Sequence, residues 1–187
     1  MSQFDYLAVL VSIVLGLGIA NVLTGFAAIV RARARVTSFL PTYIQMANVF
    51  VIHIQMWWAM FGLRELRHWT FPVFLAVILQ PVLVFLMSAF IVPEIAPEGR
   101  IDLKEQYFRE HAWFGAAIFA TVADSLLRNL LAAGHLQDVP ELVALGVFAL
   151  LGVIGFASRS ARVHMVLAPT VSLMLAAYVG TLFFTLQ

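Results

Sequence analysis

The sequence predicts an all-α membrane protein, a bundle of about six transmembrane helices in one domain spanning residues 1–187. Three observations carry this. Hydrophobic residues make up 63% of the 187 and charged residues only 11%, whereas a soluble domain is about half apolar and about a quarter charged. The apolar residues fall into six runs, each long enough or nearly so to cross roughly 30 Å of hydrocarbon. The charges gather between the runs, where a lipid-embedded chain must place them.

The runs are 4–30, 41–63, 71–92, 112–132, 142–157 and 163–186. The first has no basic start and is too long for a cleavable signal segment, so it reads as a true span. Its basic residues, Arg31, Arg33 and Arg35, follow it. Arg100, Lys104 and Arg109 lie between the third and fourth runs, and Arg159 and Arg162 between the fifth and sixth. These loops share one side and hold eight of the eleven Lys and Arg residues. The positive-inside rule therefore places them in the cytoplasm and both termini outside, in a bacterial inner (plasma) membrane. Runs two and three are joined by a very short turn near Arg67-His68-Trp69-Thr70, which forces an antiparallel pair. Trp57, Trp58 and Trp69 suit an aromatic belt at that interface. In the loop 93–110, Pro93, Pro97 and Gly99 end the third helix. Asp102 and Glu105 then have capping-box spacing, which predicts a short interfacial helix carrying Leu103 and Tyr107.

Six helices divide into two three-helix halves, which would be related by inverted topology. Leu79-Gln80-Pro81 and Leu167-Ala168-Pro169 are the weak internal match.

Composition excludes several chemistries. A net charge of +1 indicates neither a nucleic-acid partner nor an acidic substrate. The absence of cysteine removes disulfides, thiolate metal sites, iron–sulfur clusters and cysteine nucleophiles. The only lysine, Lys104, is placed in a loop, so no intramembrane amine is available for a retinal Schiff base. A haem would need a second histidine at the depth of His53, but His111 and His164 sit at one edge and His68 and His135 at the other. The sequence thus indicates no cofactor and no metal. It contains no H-E-x-x-H, G-x-S-x-G or phosphate-binding loop, and Gly16-Leu17-Gly18 lies within a membrane run.

Two patterns stand out. Ser12, Gly16, Ala20, Thr24 and Ala28 place a small residue at every fourth position of helix one. Such a ladder lets two helices approach closely and predicts a packing face, within the chain or toward a second copy. Asn21 lies on an adjacent face and is expected to bond a neighbouring helix. In helix two, Gln45, Asn48, Ile52, Gln55, Ala59 and Gly62 recur at steps of three and four. A lipid-facing amide would be left unpaired, so this seam belongs inside the bundle, either packed or lining a polar pathway.

His53, Trp57 and Arg64 share another face of helix two. His53 is expected to be a hydrogen-bonded structural residue or a proton-linked switch. Asp5, Arg64, Glu65, Asp124, Arg128 and Asn129 gather toward the non-cytoplasmic end. Asp124 and Arg128 have the i,i+4 spacing of an intrahelical ion pair. These residues are expected to form either an interfacial, solvated set or an ion-linked vestibule.

Phe4-Asp5-Tyr6-Leu7 followed by Leu15-Gly16-Leu17-Gly18-Ile19-Ala20, with Trp57-Trp58 ahead of Gly62-Leu63-Arg64, resembles a widespread, functionally uncharacterised family of small bacterial polytopic membrane proteins. The resemblance implies location and helix count, not chemistry. Three functions are compatible with these residues. One is a channel or transporter for an ion or small solute, using helix two and the charged set. The second is a non-catalytic subunit or scaffold that binds a membrane partner or a second copy through helix one. The third is an enzyme acting on lipid or quinone.

Overall fold

A computed structural model describes residues 3–66 and 69–182. Its helices are α1 (Gln3–Arg31), α2 (Leu40–Ala59), α3 (Phe71–Ile91), α4 (Leu103–Ala133), α5 (Val139–Ala157) and α6 (Ala161–Leu182). A 3-10 turn, Met60–Glu65, extends α2. All six helices are long and apolar enough to cross a membrane. Large apolar side chains cover the outside, among them Leu173 and Val139 at 73% exposure and Phe71 at 71%. Only lipid makes such a surface favourable, and the chain is a multi-pass membrane protein. Arg67 and His68 of the expected turn, and positions 183–186 of the expected sixth run, lie outside the described residues.

The helix ends follow from local chemistry. Thr70 caps α3, its hydroxyl accepting from the Val73 amide at 3.4 Å, with Pro72 in the first turn. Asp102 caps α4 by accepting from the Lys104 and Glu105 amides at 2.8 and 3.3 Å. The short interfacial helix expected after Pro93 is not a separate element; it forms the first turns of α4 and includes Lys104. No glycine or proline separates Leu103 from Ala112, and the residues between are mostly good helix formers, so nothing stops the helix there. Gly134, at φ 75°, ends α4 in the left-handed region.

Five helices close a ring: α2 packs on α3, α3 on α4, α4 on α5, α5 on α6, and α6 on α2. Helix α1 lies outside the ring, in the groove between α2 and α3. The two halves therefore pack differently. α1 touches both helices of its own half, while α4 forms a wall of the ring between α3 and α5. At the arginine-rich end, β1 (Val36–Thr37) pairs in parallel with β2 (Ile101–Asp102), Val36 opposite Ile101. The Arg35 guanidinium clasps this loop by donating to the Ala96 and Gly99 carbonyls at 3.2 and 2.9 Å.

The face that α1 turns inward is Leu7, Val11, Leu15, Gly18, Val22, Gly25 and Ile29, all buried. Gly18 lies against the His53 ring and Gly25 against Val92, each so closely that an added methyl group would overlap the neighbour. Asn21 donates to the Ser88 hydroxyl at 3.2 Å, tying α1 to α3. The small-residue ladder points elsewhere. Ser12, Gly16, Ala20 and Thr24 are exposed and Ala28 is half-buried, so the ladder is not the packing face within the chain. The bulky apolar positions, spaced three and four apart, claim the groove instead.

Candidate functional site

The ring surrounds a partly open cavity of about 490 Å³. Each wall contributes one helical stripe. From α2 come Gln45, Asn48, Ile52, Gln55 and Ala59, continued by Gly62 of the 3-10 turn. α6 adds His164, Leu167, Val171, Leu175 and Tyr178 at steps of three and four. His164 and Tyr178 are fourteen residues apart, so the lining extends for about 20 Å along the bundle at 1.5 Å per residue. α5 contributes Glu141, Leu145, Phe148 and Gly152, and α4 runs from Tyr107 to Ala132.

The half toward the arginine-rich end is closed by two hydrogen-bonded chains. Ser172 donates to the Asn48 side-chain oxygen at 2.7 Å, and the Asn48 amide donates to Gln45 Oε1 at 3.0 Å. Gln45 and Tyr107 line the same end of the cavity. The Tyr107 hydroxyl lies 2.9 Å from His164 Nδ1, while His164 Nε2 lies 2.8 Å from the Ser158 carbonyl. A carbonyl can only accept, so Nε2 carries the proton and Nδ1 accepts from Tyr107. Gln45 and Asn48 are each 5% exposed and His164 is 2% exposed. Each side chain in these two chains has a partner, as burial in lipid demands.

The other half is different. Ser125, Arg128 and Asn129 of α4, Glu141 of α5 and Tyr178 of α6 line it. Arg128 is within electrostatic reach of Asp124, Glu141 and Tyr178. No nitrogen–oxygen pair between Arg128 and either carboxylate falls within 4.0 Å. Neither Arg128 nor Glu141 makes a side-chain hydrogen bond among the described residues. Asn129 donates to the His135 carbonyl at 3.4 Å, and Gln137 to the Ser125 carbonyl at 2.9 Å.

The charged set expected near this end is only partly assembled. Arg128 and Asn129 reach the cavity. Asp124 does not line it. It is 4% exposed, and both its carboxylate oxygens lack a hydrogen-bond partner. Asp124 and Arg128, at the i,i+4 spacing of an ion pair, stay within electrostatic reach but not within 4.0 Å, because the Arg128 side chain turns into the cavity while Asp124, a turn earlier, is held in the packing. Arg64 is exposed, its guanidinium 4.2 Å from the Phe61 ring centre, and Asp5 is exposed near the start of α1. Neither lines the cavity. Glu65 closes the 3-10 turn. His53 is also off the path. Fully buried, it donates from Nδ1 to the Val49 carbonyl at 2.7 Å and presses Nε2 on Gly18. Position 53 is five residues beyond Asn48, about 140° around the helix, so His53 serves the α1–α2 contact while Asn48 faces the cavity.

Glu141, Tyr178, Ser125 and the Tyr107–His164 pair were not singled out in the sequence. Glu141 lies just outside the fifth apolar run, yet α5 begins at Val139 with Pro140 in its first turn. The signal for His164 and Tyr178 is the three-and-four spacing of α6, which is as regular as that of α2. Comparison with protein-family models, curated protein sequences and solved structures finds no match.

Proposed function

We propose that the chain is a small channel or transporter, with the cavity inside the five-helix ring as its solute pathway. The observation that carries this is the α2 stripe. Gln45, Asn48, Gln55 and Gly62 all border one cavity that reaches from the Tyr107–His164 pair to Glu141 and Tyr178. Gln55 borders the cavity with no side-chain hydrogen bond among the described residues, and an amide left unpaired in an interior space costs free energy unless water or a solute meets it. The location is an inner membrane, with the arginine-rich end in the cytoplasm and both termini outside, following the distribution of Lys and Arg. The test is flux through purified protein in liposomes, with cations, anions, protons and small zwitterions as solutes. The expected result is flux of at least one class above protein-free liposomes, lost when Gln55→Trp fills the lumen. Absence of flux for every class counts against the proposal.

A second reading, a subunit or scaffold, is favoured by the ladder of α1. Ser12, Gly16, Ala20 and Thr24 face out of the bundle, and nothing lies within 4 Å of a methyl group added at Gly16. Such a face accepts a helix of a second copy or of a membrane partner. On this reading Gly16→Leu changes the size of the purified complex, and an unchanged size and composition contradicts it.

A further inference from the structure

We infer that the end of the cavity between α4, α5 and α6 binds a small zwitterion, with Arg128 taking its carboxylate and Glu141 its ammonium group. The inference rests on the reading of the cavity as a solute site and adds a substrate class to it.

Arg128 and Glu141 come from adjacent helices and face the same space, yet no nitrogen–oxygen pair between them falls within 4.0 Å. They therefore present opposite charges to the lumen without closing into a direct ion pair, although each lies within electrostatic reach of the other. Four kinds of occupant can be compared. A simple anion meets Arg128 but is repelled by Glu141 and by Asp124 one turn away. A simple cation meets Glu141 but is repelled by Arg128. An apolar solute leaves both charges without a partner in a low-dielectric surrounding, which is the costliest outcome. A solute carrying both charges satisfies both groups at once. The planar guanidinium suits a carboxylate through two parallel N–H donors. Along α5, Leu145 and Phe148 continue the lining beyond Glu141, and Phe148 meets the Tyr178 ring edge-on at 5.7 Å. That apolar wall accommodates a hydrocarbon side chain beside the charged groups. The volume of about 490 Å³ is within the usual range for small-molecule sites, about 300–1,000 Å³.

The test uses the full chain in lipid nanodiscs and three probes of matched shape: leucine, 4-methylpentanoate, which lacks the amino group, and 3-methylbutylamine, which lacks the carboxylate. Ligand-dependent rise of the thermal unfolding midpoint is the readout. Leucine is expected to raise it in a saturable way and the two analogues are not. Arg128→Gln and Glu141→Gln are each expected to weaken the leucine response by roughly 10- to 100-fold, the loss of one charge-assisted contact. An equal response to 4-methylpentanoate or to 3-methylbutylamine overturns the inference. So does no response to leucine, glycine or phenylalanine, or variants that bind leucine as the unaltered chain does. The probe series on the unaltered protein stands even if a variant does not fold. Leucine binding without leucine flux keeps the site and defeats transport. Flux of another solute without zwitterion binding does the reverse.

Discussion

The Ser172 hydroxyl of α6 donates to the Asn48 side-chain oxygen of α2 at 2.7 Å, and this bond closes the five-helix ring where its last helix meets its first. Asn48 is held on both sides, since its amide donates to Gln45. Interhelical side-chain bonds in membranes contribute about 0.6 kcal/mol on average, with upper values near 2. Ser172→Ala is expected to lower stability within that range. Asn48→Leu, which also strips Gln45 of its donor, is expected to cost more. A double-mutant cycle on unfolding in detergent checks this, with a coupling near zero arguing against the bond.

Gly18 and Gly16 are two residues apart and should respond in opposite ways. A methyl group at Gly18 overlaps the buried His53 ring, while one at Gly16 meets nothing within 4 Å. Overpacking of this kind costs about 1–3 kcal/mol. Gly18→Ala is therefore expected to lower the unfolding midpoint, and Gly16→Ala to leave it unchanged or slightly higher through its better helix propensity. Comparing the two midpoints in the same detergent decides the matter.

Arg35 holds the loop between α3 and α4 through the Ala96 and Gly99 carbonyls. The Ile101 amide returns a bond to the Arg35 carbonyl at 2.9 Å, which Arg35→Ala leaves in place. Removing the guanidinium is expected to speed limited proteolysis within 93–100 while the six helices stay intact by circular dichroism. Unaltered cleavage would mean that the clasp contributes little.

Asp124 is a buried carboxyl with no hydrogen-bond partner for either oxygen. Leaving a polar group in that condition costs about 1–3 kcal/mol. Asp124→Asn is expected to fold, and Asp124→Leu to raise stability by an amount in that range. Thermal unfolding of both checks this, and a loss of stability in Asp124→Leu would show that the carboxyl is stabilised by a contact of its own.

Much of the architecture was legible because lipid imposes a simple rule. Backbone groups must bond within a helix, so long apolar runs in this chain have one available structure. The α2 stripe was legible for the same reason, since three side-chain amides at steps of three and seven must share a face. The start of α4 was harder to read, because its first turns are charged and resemble a loop by hydropathy, although they are good helix formers. The charged set was read as one cluster because position along a helix indicates depth. Depth does not give direction: Arg64 turns outward onto Phe61, Asp124 into the packing and Arg128 into the cavity. The α1 ladder suggests a close-packing face, but which faces of α1 the chain itself occupies is set by the bulky positions of the other face.

The most direct test of the pathway uses the chain's lack of cysteine, which allows single cysteines to be introduced with no background. Gln55→Cys, Ile54→Cys and His53→Cys sit on adjacent positions of α2 and face the cavity, the outside of the bundle and the α1 contact. A membrane-impermeant, water-borne thiol reagent applied to the protein in liposomes reports which of them meets water. The account predicts reaction at Gln55→Cys, with any solute flux blocked by the attached group, and none at His53→Cys or Ile54→Cys. An unreactive Gln55→Cys, or flux unchanged after complete labelling, would contradict it.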